Sequence, residues 1–448
     1  MAFFPCLLHF IIMKIKHLSL IVFILACAGT HGVFAEGPIP EVLSVDEAVK
    51  IALDNNLSLM RSSLDVQVKK RNADRSWNSL LPSAGAAAVA SHPTSITGPI
   101  EPASRDVWTP GFSLSAGLTF SLSVIENIKK AQTDYELGLL SYETLRRELE
   151  LQVRKLFYQI LLLDANRELA AQNFASAQSR YEQSAALVRA GQAPRLNELS
   201  ARVDMENLRP SLSNAGILYE NAMDTFKIVL GLPSDTVISL EGSLSAGFNG
   251  RLQAGSLEPQ GSLEAASILK SIQSMEAQRN AIRNGAYFPS LRFSWTSTPL
   301  YNIRNEVWND NGSFSISLGL NLDNFFPWSN AKTQVDNLND GIRAAQIQLT
   351  DSLRNSENRV SQNLRTVERI LESLEAIKLN VDLAQSTYEM YEDAYSRGAA
   401  DYQQLRSAGD SLEQAKNRLL SEQYNLISAM LDLEKELNIP FGTLIRGE

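Results

Sequence analysis

Phe112-Ser-Leu-Ser-Ala-Gly-Leu-Thr-Phe120 and its near-copy Phe314-Ser-Ile-Ser-Leu-Gly-Leu-Asn-Leu322 alternate large apolar residues with small or polar ones. Side chains on a strand point to opposite sides in turn. Phe112, Leu114, Ala116, Leu118 and Phe120 therefore share one face, and Ser113, Ser115, Gly117 and Thr119 share the other. A half-buried strand of a soluble sandwich gives the same pattern. The rest of the chain argues otherwise, because it holds a leader-like start and long helical segments but too little further strand to cover a soluble sheet. About 9–11 residues of tilted strand cross a bilayer, apolar face to lipid and polar face to a lumen.

Outward from these stretches the chain reads as one unit written twice. In the first copy, Ser44 and Glu47 form a capping box, and a helical period runs to Leu57 and resumes through Leu64–Trp77. Leu81-Pro82 ends it, and Gly85–Ala90 is a short extended candidate within a strand of about 83–91. Pro93, Gly98, Pro99, Pro102 and Pro110 mark 91–110 as an exposed loop, with His92 solvated at its start. The strand at 112–122 follows. Ser123 and Glu126 read as a second capping box, opening a helix of about 124–190 that would be roughly 100 Å long at 1.5 Å per residue. Gly191 and Pro194 turn the chain into a helix of 196–230, where Pro210 predicts either a kink or a junction of two shorter helices.

The first repeat is thus residues 36–240, and the Gly/Ser-rich 241–261 reads as a linker or equatorial segment. The second repeat, 262–448, has a helix at 262–286, strands at about 291–297 and 314–322, a loop at 298–313, and long helices at about 330–397 and 403–437. Gly191 and Gly398, Leu230 and Leu437, Pro233 and Pro440, and Pro82 and Pro289 are each 207 residues apart. Unrelated helices do not share landmarks at one offset. Position 417, opposite Pro210, is Asn417, so a kink would belong to the first repeat alone.

Residues 1–35 read as a signal peptide: Lys14 and Lys16 precede an apolar run at 18–29, and Val33-Phe34-Ala35 offers a cleavage site before Glu36. Met13 is the expected start. Cys27 offers a competing lipoprotein reading, to which Leu25 is a poor fit. The whole chain carries −9 and the part after Ala35 carries −11, which argues against a nucleic-acid surface. Both cysteines and three of four histidines leave with the leader, so no disulfide, thiolate zinc site or histidine cluster is expected. No metal site and no cofactor is expected. Beyond the leader no stretch is apolar for the length a membrane helix needs, so any membrane crossing is by strands.

Four strands in lipid leave two open edges, and each unpaired backbone group there costs several kcal/mol. Other copies must close the ring: two give eight strands with a filled core, three give twelve with room for a pore. Ser113, Ser115, Gly117, Thr119, Arg292, Ser315, Ser317, Gly319 and Asn321 are the expected lumen-facing residues. Trp108, Trp308 and the Phe325-Phe326-Pro327-Trp328 cluster fit aromatic girdles, and Trp295 fits a girdle or a core equally. The helices are charged throughout, for example Arg146-Arg147-Glu148 and Glu368-Arg369, so they are expected in the periplasm with seams such as Leu145, Leu149, Leu156 and Ile160 buried.

With these parts in place, the chain resembles the TolC-like outer-membrane efflux protein family. The resemblance is carried by Leu43-Ser-Val-Asp-Glu-Ala-Val-Lys-Ile-Ala-Leu-Asp-Asn-Asn56, by Leu81-Pro-Ser83 and its repeat Phe288-Pro-Ser290, and by two turn motifs. These are Arg189-Ala-Gly-Gln-Ala-Pro-Arg-Leu-Asn-Glu-Leu-Ser-Ala201 and Arg397-Gly-Ala-Ala-Asp-Tyr-Gln-Gln-Leu-Arg-Ser-Ala408. It implies a mainly α fold with a small transmembrane β part: a homotrimeric 12-stranded barrel in outer-membrane lipid, continued by a long α-helical periplasmic barrel. It also implies an exit duct of a tripartite efflux or type I secretion system, with a periplasmic adaptor (membrane fusion) protein and an inner-membrane transporter as partners. The adaptor would dock at the tip, around Arg189, Gly191, Arg397 and Gly398. Members often carry an aspartate six residues after the turn glycine; here those positions are Asn197 and Gln404, with Asp401 and Asp410 as nearby pore-entrance candidates.

An enzyme would need a nucleophile–base pair, a metal cluster or a phosphate loop, and the expected mature chain offers one histidine, no cysteine and no GxxxxGK[ST]. A soluble periplasmic coiled-coil scaffold or adaptor accounts for the helices but leaves the alternating strands unexplained. A metal-specific exporter finds no support in Met60, Met205, Met223, Met275, Met390 and Met430, which are scattered.

Overall fold

The computed structural model describes residues 42–92, 108–245, 262–302, 307–310 and 312–444. The expected signal peptide, residues 93–107 of the expected loop and most of the expected 241–261 linker lie outside the described residues. The chain forms two compact units: a small one of residues 1–43 and 237–239, and a large one of 44–236 and 240–448. In the small unit Leu43 and Ile238 are buried. Everything below concerns the large unit.

Its helices are α1 (Val45–Asn55), α2 (Leu57–Asp74), α3 (Leu122–Arg189), α4 (Arg195–Leu230), α5 (Leu263–Tyr287), α6 (Asn330–Ser396) and α7 (Tyr402–Glu436). Its strands are β1 (Ser83–Ser91), β2 (Thr109–Phe120), β3 (Ser290–Ser297), β4 (Leu300–Asn302), β5 (Val307–Asn309) and β6 (Ser313–Gly319). Along the chain, each half thus runs from helix to strands to a long helix and a shorter one, with the short strands β4 and β5 added in the second half.

Local chemistry sets the ends. The Ser44–Glu47 capping box is formed in both directions, and Glu47 is held below the usual carboxylate range by the Ser44 amide and hydroxyl. The break after α1 is one residue long, and α2 starts at Leu57 rather than at the expected Leu64. Asn56 explains this: its Oδ1 accepts from the Ser58 and Leu59 amides while its Nδ2 donates to the Val229 carbonyl at 3.0 Å. The expected Ser123–Glu126 box is not formed. Ser121, still extended at φ −149°, caps α3 by accepting from the Ser123 amide at 3.1 Å, and Glu126 Oε2 is buried without a partner. Helix α4 runs unbroken through Pro210, so the reading as two shorter helices is overturned.

Helix α3 is the hub, packing on α2, α4, α5 and α7. Val153, Phe157 and Ile160 are among its most buried residues, with Leu149 beside them; the expected seam members Leu145 and Leu156 are only half-buried. Helices α6 and α7 pack through Val367, Ile370 and Leu374 against Leu426, Met430 and Leu433. Arg154, almost wholly buried on α3, is neutralised by Asp46 at 2.9 Å and Glu150 at 3.0 Å, because an unpaired buried charge is costly.

Helix ends repeat as the offset of 207 demands. Gly191 and Gly398 have φ of +72° and +73°, and Gly231 and Asn438, again 207 apart, have +73° and +57°. The two pairs differ in surroundings. A Cβ at Gly398 meets nothing within 4 Å, whereas one at Gly231 lies 2.5 Å from the Asn55 carbonyl oxygen. Gly231→Ala is therefore expected to lower the midpoint of helix melting, followed by circular dichroism, clearly more than Gly398→Ala. The latter carries only the left-handed penalty of about 1–2 kcal/mol; equal shifts would show that Asn55 simply moves aside.

Candidate functional site: a two-faced sheet and a latched helical tip

The four main strands form one antiparallel sheet in the order β1–β2–β3–β6, with the β4–β5 hairpin continuing it beyond β2. This hairpin corrects the expectation of a plain loop over 298–313. Strand β2 starts at Thr109, inside the expected loop, and the weak candidate at 85–90 is a full nine-residue strand.

Register decides which side chains share a face. Ser83, Gly117, Ser294 and Ser315 lie level across the sheet, as do Gly85, Ser115, Thr296 and Ser313. Thr119, Arg292 and Ser317 form a third row, and Ser113 lies opposite Ala87. All of these belong to one face. Ser294 and Ser315 hydroxyls are 2.8 Å apart, and Arg292 Nε reaches Thr119 Oγ1 at 3.4 Å. The opposite face holds Ala116, Trp295 and Phe314 in one row, and Leu118, Phe293 and Ile316 in the next. These apolar side chains are not packed away: Phe314 is 66% exposed and Leu318 is 72% exposed. Eight of the nine expected lumen residues thus share the polar face. Asn321 does not, since β6 ends at Gly319 and the chain turns into a short 3-10 segment at Leu322–Phe325.

Aromatic rings gather at both ends of the sheet. At the hairpin end Phe112 stacks on Trp308 at 5.6 Å, Trp308 contacts Tyr301, and His92 lies 5.3 Å from Trp108. At the helical end Phe326 stacks on Trp328 at 5.1 Å and Phe325 meets Tyr287 edge-on. Trp295 sits between them on the exposed apolar face. Within the sheet β1 and β6 each have a partner on one side only. Among the described residues no helix is long and apolar enough to cross a membrane, and no three His, Cys, Asp or Glu residues gather as metal ligands.

The turns at Gly191 and Gly398 join α3 to α4 and α6 to α7. Each is closed by paired backbone bonds, Gly191 to the Val188 carbonyl and Gln192 to Leu187, then Gly398 to Tyr395 and Ala399 to Ala394. Arg189 donates to the Ala185 carbonyl, Arg397 pairs with Asp393 at 2.7 Å, and both stay exposed. Of the four entrance candidates, Asp401 and Gln404 are bound to each other in a capping box at the start of α7. Asp410 lies 3.9 Å from Arg406. Asn197 sits in the first turn of α4, its amide on the Pro194 carbonyl.

A cluster that the sequence reading missed lies just above the turns. Tyr402 on α7 donates its hydroxyl to Asp204 Oδ2 on α4 at 2.7 Å, and Arg406 Nη1 reaches Asp204 Oδ1 at 3.2 Å. Ser184 and Tyr395 hydroxyls lie 3.0 Å apart, and Arg180 donates to the Tyr388 hydroxyl at 3.3 Å. Tyr395 and Tyr402 pack edge-on over Ala201 and Leu405. Burial, and then the Asp204 bond, push Tyr402 well above the usual phenol range, so it stays a hydrogen-bond donor at physiological pH. These bonds tie the first-repeat hairpin to the second.

Comparison with known proteins fits this arrangement. Residues 48–231 match the family model described as outer membrane efflux protein. No curated protein sequence matches the chain at a significant level. Among solved structures, the outer membrane protein VceC of Vibrio cholerae superimposes with a TM-score of 0.75 at 14% identity, over 89% of this chain and 96% of that one. The Neisseria gonorrhoeae MtrE outer membrane channel in its open state gives 0.73 at 18%, over 88% and 89%. The Campylobacter jejuni CmeC outer membrane channel gives 0.71 at 16%, over 88% and 85%. At such identities the likeness is one of fold, that of outer-membrane channels. The family match over residues 48–231 agrees with that fold and with the resemblance to TolC-like outer-membrane efflux proteins carried by the sequence. The soluble scaffold reading is thereby set aside.

Proposed function

We propose that the chain forms the exit duct of a tripartite efflux or type I secretion system, as a homotrimer opened at its helical tip. The observation that carries this is the two-faced sheet with an unpaired strand on each border. In hydrocarbon each orphan backbone group costs several kcal/mol, so the borders must meet other copies. Strand β1 runs away from the helices and β6 runs back towards them, so β6 of one copy can join β1 of the next antiparallel. Three copies close twelve strands, enough to leave a water-filled bore lined by the Ser/Thr/Gly face.

In this reading the duct performs no covalent chemistry. The bonds from Asp204 to Tyr402 and Arg406 are the latch that keeps the tip helices together, and an adaptor docking around Arg189, Gly191, Arg397 and Gly398 releases it. An inner-membrane transporter then supplies cargo. Asp401 and Gln404 act as helix caps in this scheme rather than as an entrance ring. Reconstitution of purified protein into planar bilayers tests it: discrete trimeric conductance steps are expected, and a detergent-free monomer without current would overturn it.

A further inference from the structure

Strands β1, β2, β3 and β6 together contain one charged side chain, Arg292. Register puts it on the polar face, level with Thr119 on one side and Ser317 on the other, and between Ser290 and Ser294 along its own strand. The guanidinium is exposed and, among the described residues, has no acidic partner; it makes one long contact, to Thr119 Oγ1 at 3.4 Å. An arginine is not needed to hold this row together, since hydroxyls of serine and threonine bridge the neighbouring rows unaided, as Ser294 and Ser315 do. It also lies near the helical end of the sheet, three residues into β3 and one residue from the end of β2.

We propose that Arg292 sets the charge selectivity of the bore, making this stretch of the duct favour anions. This rests on the duct reading above. Closing three copies brings three guanidinium groups to one level of a wall otherwise lined by uncharged small residues, and rings of arginine or lysine select for anions in other pores. Distance does not defeat the effect. Across a bore of this size the charges lie about one Debye length from the axis at 0.1 M salt, so screening weakens their field without abolishing it. Summing three such charges at the dielectric of water gives a change on the order of threefold in the anion-to-cation permeability ratio. The solutes it favours are small anions, including carboxylate-bearing ones, over cations of equal size.

The test uses the full-length trimer in planar bilayers under a potassium chloride gradient, in a background whose tip is opened by Tyr402→Phe. Reversal potential is read for the background, Arg292→Ser, Arg292→Glu and Arg292→Lys. Arg292→Ser is expected to move the ratio about threefold towards cations, Arg292→Glu to move it further, and Arg292→Lys to leave it where it was. Heat-modifiable trimers in all four confirm that the barrel is intact. Identical reversal potentials across the series would overturn this inference while leaving the duct standing. No current from these trimers, from Asp204→Ala trimers or from the unsubstituted protein would overturn the duct and this inference with it.

Discussion

Replacing Asp204 with alanine is expected to raise the open probability of reconstituted trimers by about ten- to a hundredfold. Asp204 is almost wholly buried and accepts from Tyr402 at 2.7 Å while facing Arg406 at 3.2 Å. Hydrogen bonds to a charged group contribute about 1.5–3 kcal/mol, and each 1.4 kcal/mol is a factor of ten. The substitution also leaves the Tyr402 hydroxyl without an acceptor in a place where water is scarce, so the closed arrangement loses more than the open one. Tyr402→Phe keeps the ring packed on Tyr395 and removes only the hydroxyl. It should open the tip in the same direction by a smaller factor, with the oligomer unchanged on a native gel. Parental conductance in both variants would show that Asp204 does not hold the tip shut.

The second large effect separates two adjacent residues. Ile316→Arg is expected to abolish heat-modifiable oligomers in the outer-membrane fraction, whereas Ser315→Arg should leave them at near-normal yield. Ile316 shares its row with Phe293 and Leu118, and Ser315 shares its row with Ser294 and Gly117. An arginine facing lipid near mid-bilayer costs about 2–4 kcal/mol per copy, and a closed ring repeats the cost in every copy. An arginine on the wet face keeps its hydration. Because side chains alternate strictly along a strand, a one-residue slip in register would exchange the two outcomes. Equal loss in both variants would mean that neither face is wet.

Much of this architecture is legible in the sequence because it rests on short-range periodicity. Helices α3 and α6 are marked by 3.6-residue repeats that end at left-handed glycines, and strands β2 and β6 by alternation. What escapes is set by pairs far apart in the chain. Tyr402 and Asp204 are 198 residues apart, and nothing local to either distinguishes a latch from an ordinary polar helix residue. The cap of α3 falls on Ser121 rather than Ser123 because Phe120 ends a strand, leaving the next residue extended as a cap requires. Alternation also continues in the letters through Asn321-Leu322, but the strand has already ended, and Asp323 and Asn324 turn the backbone instead. The two strand segments at 300–302 and 307–309 are three residues each, too short for periodicity to register.

The Asp204–Tyr402 bond has one more implication. Donor and acceptor belong to the same polypeptide, so every subunit brings its own clasp and none is shared across a seam between neighbours. An assembly mixing intact and clasp-less chains should then pass through intermediate apertures, one for each loosened member, in place of an all-or-none gate.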